Sequence, residues 1–213
     1  MNPQDAIDRF NALYPSSQPA RVFRAPGRVN LIGEHTDYNQ GLALPMAIDL
    51  SCAVVAAKSR DSCLRAFSNQ FQELAKWTPE ELERFALRGG WSDRVLGVVW
   101  ALRQRKIAVE AQNLYIDSEI PLGGGLSSSA ALGVALTLAL GGPRDPLELT
   151  RIAHSAEAGF LGIPCGVLDQ FASAHGIAGT ALLLDCKILA WEPAPLPPDA
   201  VIVAVNSMVK RDL

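Results

Sequence analysis

Pro121-Leu122-Gly123-Gly124-Gly125-Leu126-Ser127-Ser128-Ser129-Ala130-Ala131 leads directly into an apolar stretch over residues 130–140. Three consecutive glycines let the backbone turn tightly and approach a ligand, because no Cβ blocks the way or forbids positive φ. The serines fall where a helix should begin. There the first N–H groups have no intrahelical acceptor, and the helix dipole favours an anion. The stretch therefore reads as a phosphate cradle that needs no basic residue of its own. It is not a Walker A element, since no Gly-Lys-Ser/Thr closes it, so a second anchor is required.

Working outward, residues 112–118 alternate polar with apolar side chains like a half-buried strand, and residues 130–140 suit a core helix. Strand, glycine loop and buried helix together make a rigid anion site. Towards the N-terminus a helix is predicted over Pro3–Leu13, with Ile7, Phe10 and Leu13 on one stripe, broken by Pro15-Ser-Ser-Gln-Pro19. Residues 21–25, 51–57 and 63–67 read as strands, whereas residues 26–29 suit a loop at a sheet edge. Val95, Val98, Val99 and Leu102 recur at helical spacing after a start that Ser92 or Asp93 could cap. Asp145, Pro146 and Glu148 open a further helix that should run towards Gly159 or Gly162. Residues 181–185, 188–191 and 201–205 read as strands, and the proline-rich residues 193–198 as an extended connection. Strands mixed with helices without strict alternation define an α+β class.

Composition narrows the function classes. The 213 residues are 49% hydrophobic and 19% charged, enough to bury one substantial core. A formal net charge of -3 gives no electrostatic case for nucleic acid or an anionic membrane as partner. The N-terminal residues lack the basic start and apolar core of a signal peptide, and no apolar run is long enough to span a bilayer, so a cytoplasmic protein is expected. Cys52, Cys63, Cys165 and Cys186 form neither a CxxC pair nor a metal-ligand spacing, and are expected to be reduced, mostly buried thiols.

The glycine loop resembles the second motif of the GHMP kinases, the family of galactose, homoserine, mevalonate and phosphomevalonate kinases. Arg24-Ala-Pro26-Gly27-Arg28-Val-Asn30-Leu-Ile-Gly33-Glu34-His35-Thr36-Asp37-Tyr38-Asn39 is similar to the galactokinase signature nearly residue for residue. Cys165-Gly166-Val-Leu-Asp169-Gln170-Phe171-Ala-Ser173 resembles the segment that carries the catalytic aspartate in those enzymes. The three matches fall in the family's order. The resemblance implies the GHMP N-terminal fold, like the second domain of ribosomal protein S5, and transfer of the γ-phosphoryl of ATP to the anomeric hydroxyl of galactose.

Chemistry of that kind rests on positioning and charge stabilisation, with a base to receive the hydroxyl proton. The resemblance assigns the base to Asp169, and the apolar Gly166-Val-Leu and Phe171 around it mean that the carboxylate needs a partner to stay ionised. Arg28 can be that partner and can also neutralise charge on the moving phosphoryl; a purely structural Arg–Asp pair is the alternative. Glu34, His35 and Asp37 correspond to the family's sugar-binding trio, with the backbone of Gly166 beside the ring. His154 and His175 read as residues with local hydrogen bonds. Gly123, Gly124, Gly125, Leu126, Ser127, Ser128 and Ser129 form the expected nucleotide loop. Mg2+, which ATP carries, prefers oxygen ligands and keeps several waters. Glu157, twelve residues before Asp169, occupies the family's acidic ligand position and Ser129, with Ser128 beside it, the hydroxyl side. The three serines are not separable by role from sequence.

The resemblance further implies that residues 1–213 are a single GHMP N-terminal domain, a fragment holding the sugar site, base and phosphate loop. The family's second GHMP domain would lie outside this chain, and residues 206–210 resemble the stretch that enters it. Turnover by this part alone is then expected to be weak or absent, and the whole protein is expected to act as a monomer. An N-acetylgalactosamine kinase, a galactose- and ATP-binding regulator without catalysis, and a functionless folding remnant are the other readings. Ser129-Ala130 and an intact Asp169 favour a kinase over a regulator.

Overall fold

The computed structural model describes residues 2–15 and 19–205. Its main sheet has the order β1 (Arg21–Asn30), β3 (Pro45–Lys58), β6 (Gln112–Ser118), β4 (Leu64–Ser68) and β5 (Glu73–Trp77). Its pairs are antiparallel except β4 with β6, which are parallel. Residues 51–57 of β3 are all buried because both faces of this strand are covered. Val54 and Ala56 point into the main core, formed with α3 (Asp93–Gln104), α4 (Ser128–Ala139) and α5 (Pro146–His154). Val55 and Ala57 point the other way, onto Ala6 and Phe10 of α1 (Pro3–Leu13).

A second, antiparallel sheet joins β2 (Leu42–Ala43), β7 (Thr180–Asp185) and β8 (Ala190–Pro195). Phe171 and Leu168 of α6 (Leu168–His175) pack against it. Burying each such aliphatic or aromatic side chain contributes roughly 1.5–3 kcal/mol, so α6 is tied firmly to this small sheet. Its outer end is fastened to β1 as well, where the Ser173 hydroxyl donates to the carbonyl of Pro26 at 2.7 Å.

Several expectations are corrected. Residues 26–29 are not a loop: β1 continues to Asn30 through a bulge between Pro26 and Arg28. An edge strand tolerates the proline, and the bulge absorbs the irregularity. On α1 the buried residues are Ala6 and Phe10, while Leu13 is exposed, so the stripe is shifted from the one expected. Residues 193–195 are strand rather than connection, since β8 is an edge on which Pro193 and Pro195 pair opposite Leu182 and Thr180. Residues 201–205 form no strand, and Val201, Val203 and Val205 are exposed; among the described residues no neighbouring strand pairs with them. Residues 206–210, expected to lead into a second domain, lie outside the described residues.

Other expectations are borne out with refinements. The helix from Asp145 does reach Phe160, but its last part is a π-helical turn, Ser155–Phe160. Asp145 caps it, accepting from the Glu148 amide. Ser92 precedes α3 without a side-chain cap, and the buried Asp93 carboxylate instead accepts from the amides of Arg88 and Gly89. The short β2, the strand β5 and the helix α2 (Pro79–Arg84), with its Thr78/Glu81 capping box, are additions that sequence periodicity does not show. All four cysteines are free, two of them buried. No helix of the described residues is long and apolar enough to cross a membrane.

Candidate active site

The glycine loop lands on the bulge of β1. A Cβ on Gly27 would sit 2.7 Å from the Leu126 carbonyl, so only glycine allows this approach. The Arg28 amide donates to that same carbonyl at 3.2 Å, and the Arg28 side chain reaches back to the Gly125 carbonyl through NH1 at 2.7 Å. Gly123 and Gly125 have φ of +70° and +71°, and the space around each is open. The loop thus presents bare backbone outward while Arg28 pins it from below.

Ser127, the N-cap of α4, adopts left-handed φ of 57° and makes no capping bond. Its hydroxyl is spent elsewhere, donating to Asp169 Oδ2 at 2.5 Å. The opening amides of α4 are consequently left without the side-chain acceptor that usually covers them, which suits an incoming anion. No hydrogen bond joins the Ser128 or Ser129 side chain to another of the described residues.

Asp169 lies in the first turn of α6, where the helix dipole favours an ionised carboxylate. Arg28 approaches Oδ1 with both Nε, at 2.7 Å, and NH2, at 2.5 Å. With Ser127 on Oδ2, each carboxylate oxygen has a donor, and a third of the Asp169 side chain still faces solvent. The expected Arg28–Asp169 pair is present and sits at the mouth of the glycine loop.

The loop between β1 and β2 is folded by Thr36, whose hydroxyl lies 2.6 Å from the Gly33 carbonyl and 2.9 Å from that of Leu42. Gly33, with φ of 97°, packs where a Cβ would meet the Leu42 carbonyl at 2.6 Å. Asp37 emerges from this loop against Gly166, so closely that a Cβ there would overlap its carboxylate. His35, at φ of 60°, faces Tyr38, whose hydroxyl lies 2.7 Å from Nδ1. Asn30 reaches Glu34 Oε1 at 3.5 Å, and its own buried Oδ1 has no partner. Glu34 therefore meets the end of β1 and His35 its own loop, whereas Asp37 is brought to the segment that carries Asp169.

Glu157, in the π-helical turn, is not an ordinary surface carboxylate: its side chain is 12% exposed. Arg94 NH1 donates to Oε1 at 3.0 Å and Gln170 Nε2 to Oε2 at 2.8 Å. Cys165 reports how these groups cluster. Burial first, then the charges of Glu157, Asp169 and Asp37, push its thiol up to about 11, against a weaker opposing effect of Gln170. His154 Nε2 meets the Cys165 carbonyl at 3.1 Å and His175 Nδ1 that of Phe171 at 3.1 Å, the local roles expected of both. Arg94, Gln170 and Ser173 are missed by the sequence reading. Gln170 and Ser173 stand inside a quoted motif, but nothing in their type or spacing foretold a partner 13 or 147 positions away.

Among the described residues no group of three His, Cys, Asp or Glu could hold a metal ion. The expected ligands, the Glu157 carboxylate and the hydroxyls of Ser129 and Ser128, are oxygen donors of the kind that suits Mg2+ bound mainly through waters and a nucleotide. Each Glu157 oxygen already accepts one hydrogen bond, from Arg94 on Oε1 and from Gln170 on Oε2.

Fold and site together define an α+β domain built around a glycine-rich loop facing an Arg–Asp pair. The galactokinase galactose-binding signature matches residues 8–58, and the GHMP kinase N-terminal domain matches residues 93–177. Residues 93–177 thus carry the N-terminal domain of the GHMP kinases, and the fold is that of this domain. The chain is 42% identical over 204 residues to the galactokinase of Chloroflexus aurantiacus, covering 94% of this chain and 52% of that protein. It is 39% identical over 194 residues to the galactokinase of Pyrococcus furiosus, covering 89% and 54% respectively. The structure superimposes on Lactococcus lactis galactokinase complexed with galactose with a TM-score of 0.83, at 33% identity, over 92% of this chain and 52% of that one. The chain spans about half the length of the curated relatives it matches.

Proposed function

We propose that residues 1–213 form the sugar- and phosphate-binding domain of a galactokinase, which transfers the γ-phosphoryl of ATP to the anomeric hydroxyl of galactose. The observation that carries this reading is the Asp169 carboxylate, divided between Arg28 and Ser127 at the mouth of an uncapped, glycine-lined helix start. The same reading takes the protein to be a cytoplasmic monomer.

In this mechanism the loop of Gly123, Gly124, Gly125, Leu126, Ser127, Ser128 and Ser129 holds the phosphates through its backbone amides, and Arg28 keeps the loop seated on β1. Glu34, His35, Asp37 and the backbone of Gly166 fix the sugar so that its anomeric oxygen faces Asp169. That oxygen attacks the γ-phosphorus while its proton passes to Asp169. The bond from the γ-phosphorus to the bridging oxygen breaks, and ADP leaves with the electron pair. Arg28 stabilises the carboxylate before transfer and the charge on the phosphoryl during it. Glu157 and Ser129, with Ser128 beside it, would hold Mg2+, which supplies neutralisation of phosphate charge. With donors on both of its oxygens, Asp169 is held in place to meet the sugar hydroxyl, so catalysis here depends on positioning.

The test is ADP release with MgATP and galactose, N-acetylgalactosamine, glucose or mevalonate, run on this chain and on Asp169→Ala, with galactose calorimetry alongside. Galactose-dependent release lost in Asp169→Ala supports the reading, as does galactose binding weakened by Asp37→Ala. Absence of both release and galactose binding overturns it.

A further inference from the structure

The contact between Arg94 and Glu157 has no part in the mechanism above, yet it occupies the carboxylate there assigned to Mg2+. We infer that Arg94 is a built-in competitor of the divalent cation: its guanidinium neutralises Glu157 while the cation is away and must leave when it arrives. This rests on the reading of Glu157 as a metal-ligating residue.

The two partners of Glu157 differ in kind. Gln170 is neutral, essentially fully buried, and belongs to the helix of Asp169, adjacent to it in sequence. Its amide holds Oε2 at 2.8 Å while its own Oε1 stays buried and unpartnered. A flipped amide would set oxygen against carboxylate, so the Nε2 contact fixes the orientation of Glu157 even at the cost of an unsatisfied acceptor. Arg94 brings a guanidinium charge and is one third exposed, so it has an open route to solvent. Gln170 is thus the permanent support and Arg94 the displaceable one.

Backbone packing sets the reach of Arg94. It lies in the first turn of α3, and α3 meets the π-helical turn at Gly97, where a Cβ would stand 3.1 Å from the Ala156 carbonyl. Gly159 faces Trp100 in the same seam. This close approach brings the arginine over Oε1 of a mostly buried carboxylate. Without a counter-charge that carboxylate would carry a large desolvation penalty. Arginine or a divalent cation can each supply the charge, and electrostatic repulsion disfavours both together.

The experiment follows Mn2+ binding by electron paramagnetic resonance of the free ion at pH 8, with Mn2+ alone and with ADP. It compares the chain with Arg94→Gln, Arg94→Met, Arg94→Lys and Glu157→Gln. Circular dichroism and thermal unfolding confirm that each is folded, and Arg94→Met, which keeps the apolar stem, stands in if Arg94→Gln does not fold. The expected result is Mn2+ affinity raised about three- to tenfold in Arg94→Gln and Arg94→Met, near the parent in Arg94→Lys, and lost in Glu157→Gln. A gain of affinity cannot come from mere damage to packing. Affinity unchanged or lowered in the Arg94 variants but lost in Glu157→Gln overturns the competitor role and leaves Glu157 as the ligand. Binding unaffected by Glu157→Gln, or no binding to any form, overturns both.

Discussion

Ser127 and Asp169, 42 positions apart, share a 2.5 Å hydrogen bond in which the hydroxyl donates to Oδ2. The serine stands where it could cap α4 and does not, because its side chain has been turned towards the carboxylate. A single contact therefore does two things: it satisfies half of Asp169, and it leaves the first amides of α4 open to an anion. Holding a non-glycine residue at φ of 57° for this purpose carries a conformational cost.

Ser127→Gly and Ser127→Ala separate that cost from the hydrogen bond. Both lose the bond to Asp169, but only glycine escapes the left-handed strain, which is on the order of 1 kcal/mol. Urea unfolding should show Ser127→Ala less stable than Ser127→Gly by about that amount. Equal stability, or a more stable alanine variant, would mean that the backbone at 127 is not strained.

Arg28→Lys should damage the loop although the charge is kept. Arg28 uses Nε and NH2 on Asp169 and NH1 on the Gly125 carbonyl, three donors spread over a rigid plane. A lysine ammonium is a single point and cannot serve both partners. We expect ADP affinity, read by calorimetry, to fall about tenfold or more, with little change in thermal stability. Parent-like affinity would show that the Gly125 anchor is dispensable.

What the sequence made legible follows from how local each signal is. The glycine loop and α4 were readable because a turn, a helix start and an apolar run stand next to one another. The continuation of β1 through Pro26-Gly27-Arg28 was not, since a proline and a glycine look like a loop until the bulge and the Leu126 carbonyl beside Gly27 are known. Residues 201–205 show the reverse: alternation in Val201, Val203 and Val205 signals a strand, but a strand needs a neighbour, and periodicity cannot supply one. The Arg28–Asp169 pair came from family resemblance. Arg94, outside every motif, was invisible because its meaning lies in its distance to Glu157.

Gly166→Ala tests whether Asp37 needs the space it occupies. An added Cβ would overlap the Asp37 carboxylate, so the carboxylate must move or the segment carrying Gly166 must shift. Both groups lie at the edge of the site, away from the main core. Galactose affinity by calorimetry should drop about tenfold or more, while thermal unfolding moves by no more than a surface substitution would move it. An unaltered affinity would place the sugar away from Asp37.

Alkaline pH should weaken the fold through its thiols. Burial raises Cys52 from 9.0 to about 12, and burial followed by the charges of Glu157, Asp169 and Asp37 raises Cys165 from 9.0 to about 11. A thiol raised on folding stays protonated in the native state after it has ionised in the unfolded one, so the unfolded state binds fewer protons in that range. Its contribution is therefore complete below pH 9 and is lost as pH rises towards 11 to 12. Unfolding free energies measured by urea at pH 8, 9, 10 and 10.5 should fall steadily above about pH 9. Burial likewise raises Cys186 to about 11, and Cys165→Ala should make that decline shallower by removing one of the three raised thiols. Glu157→Gln should act on Cys165 in the same sense, because loss of the neighbouring charge lowers the thiol's pKa and speeds its alkylation by iodoacetamide at pH 9. If Glu157→Gln leaves Cys165 labelling unchanged, the carboxylate does not share the space of the thiol, and the clustering of Glu157 with Asp37 and Asp169 around residue 165 is lost with it.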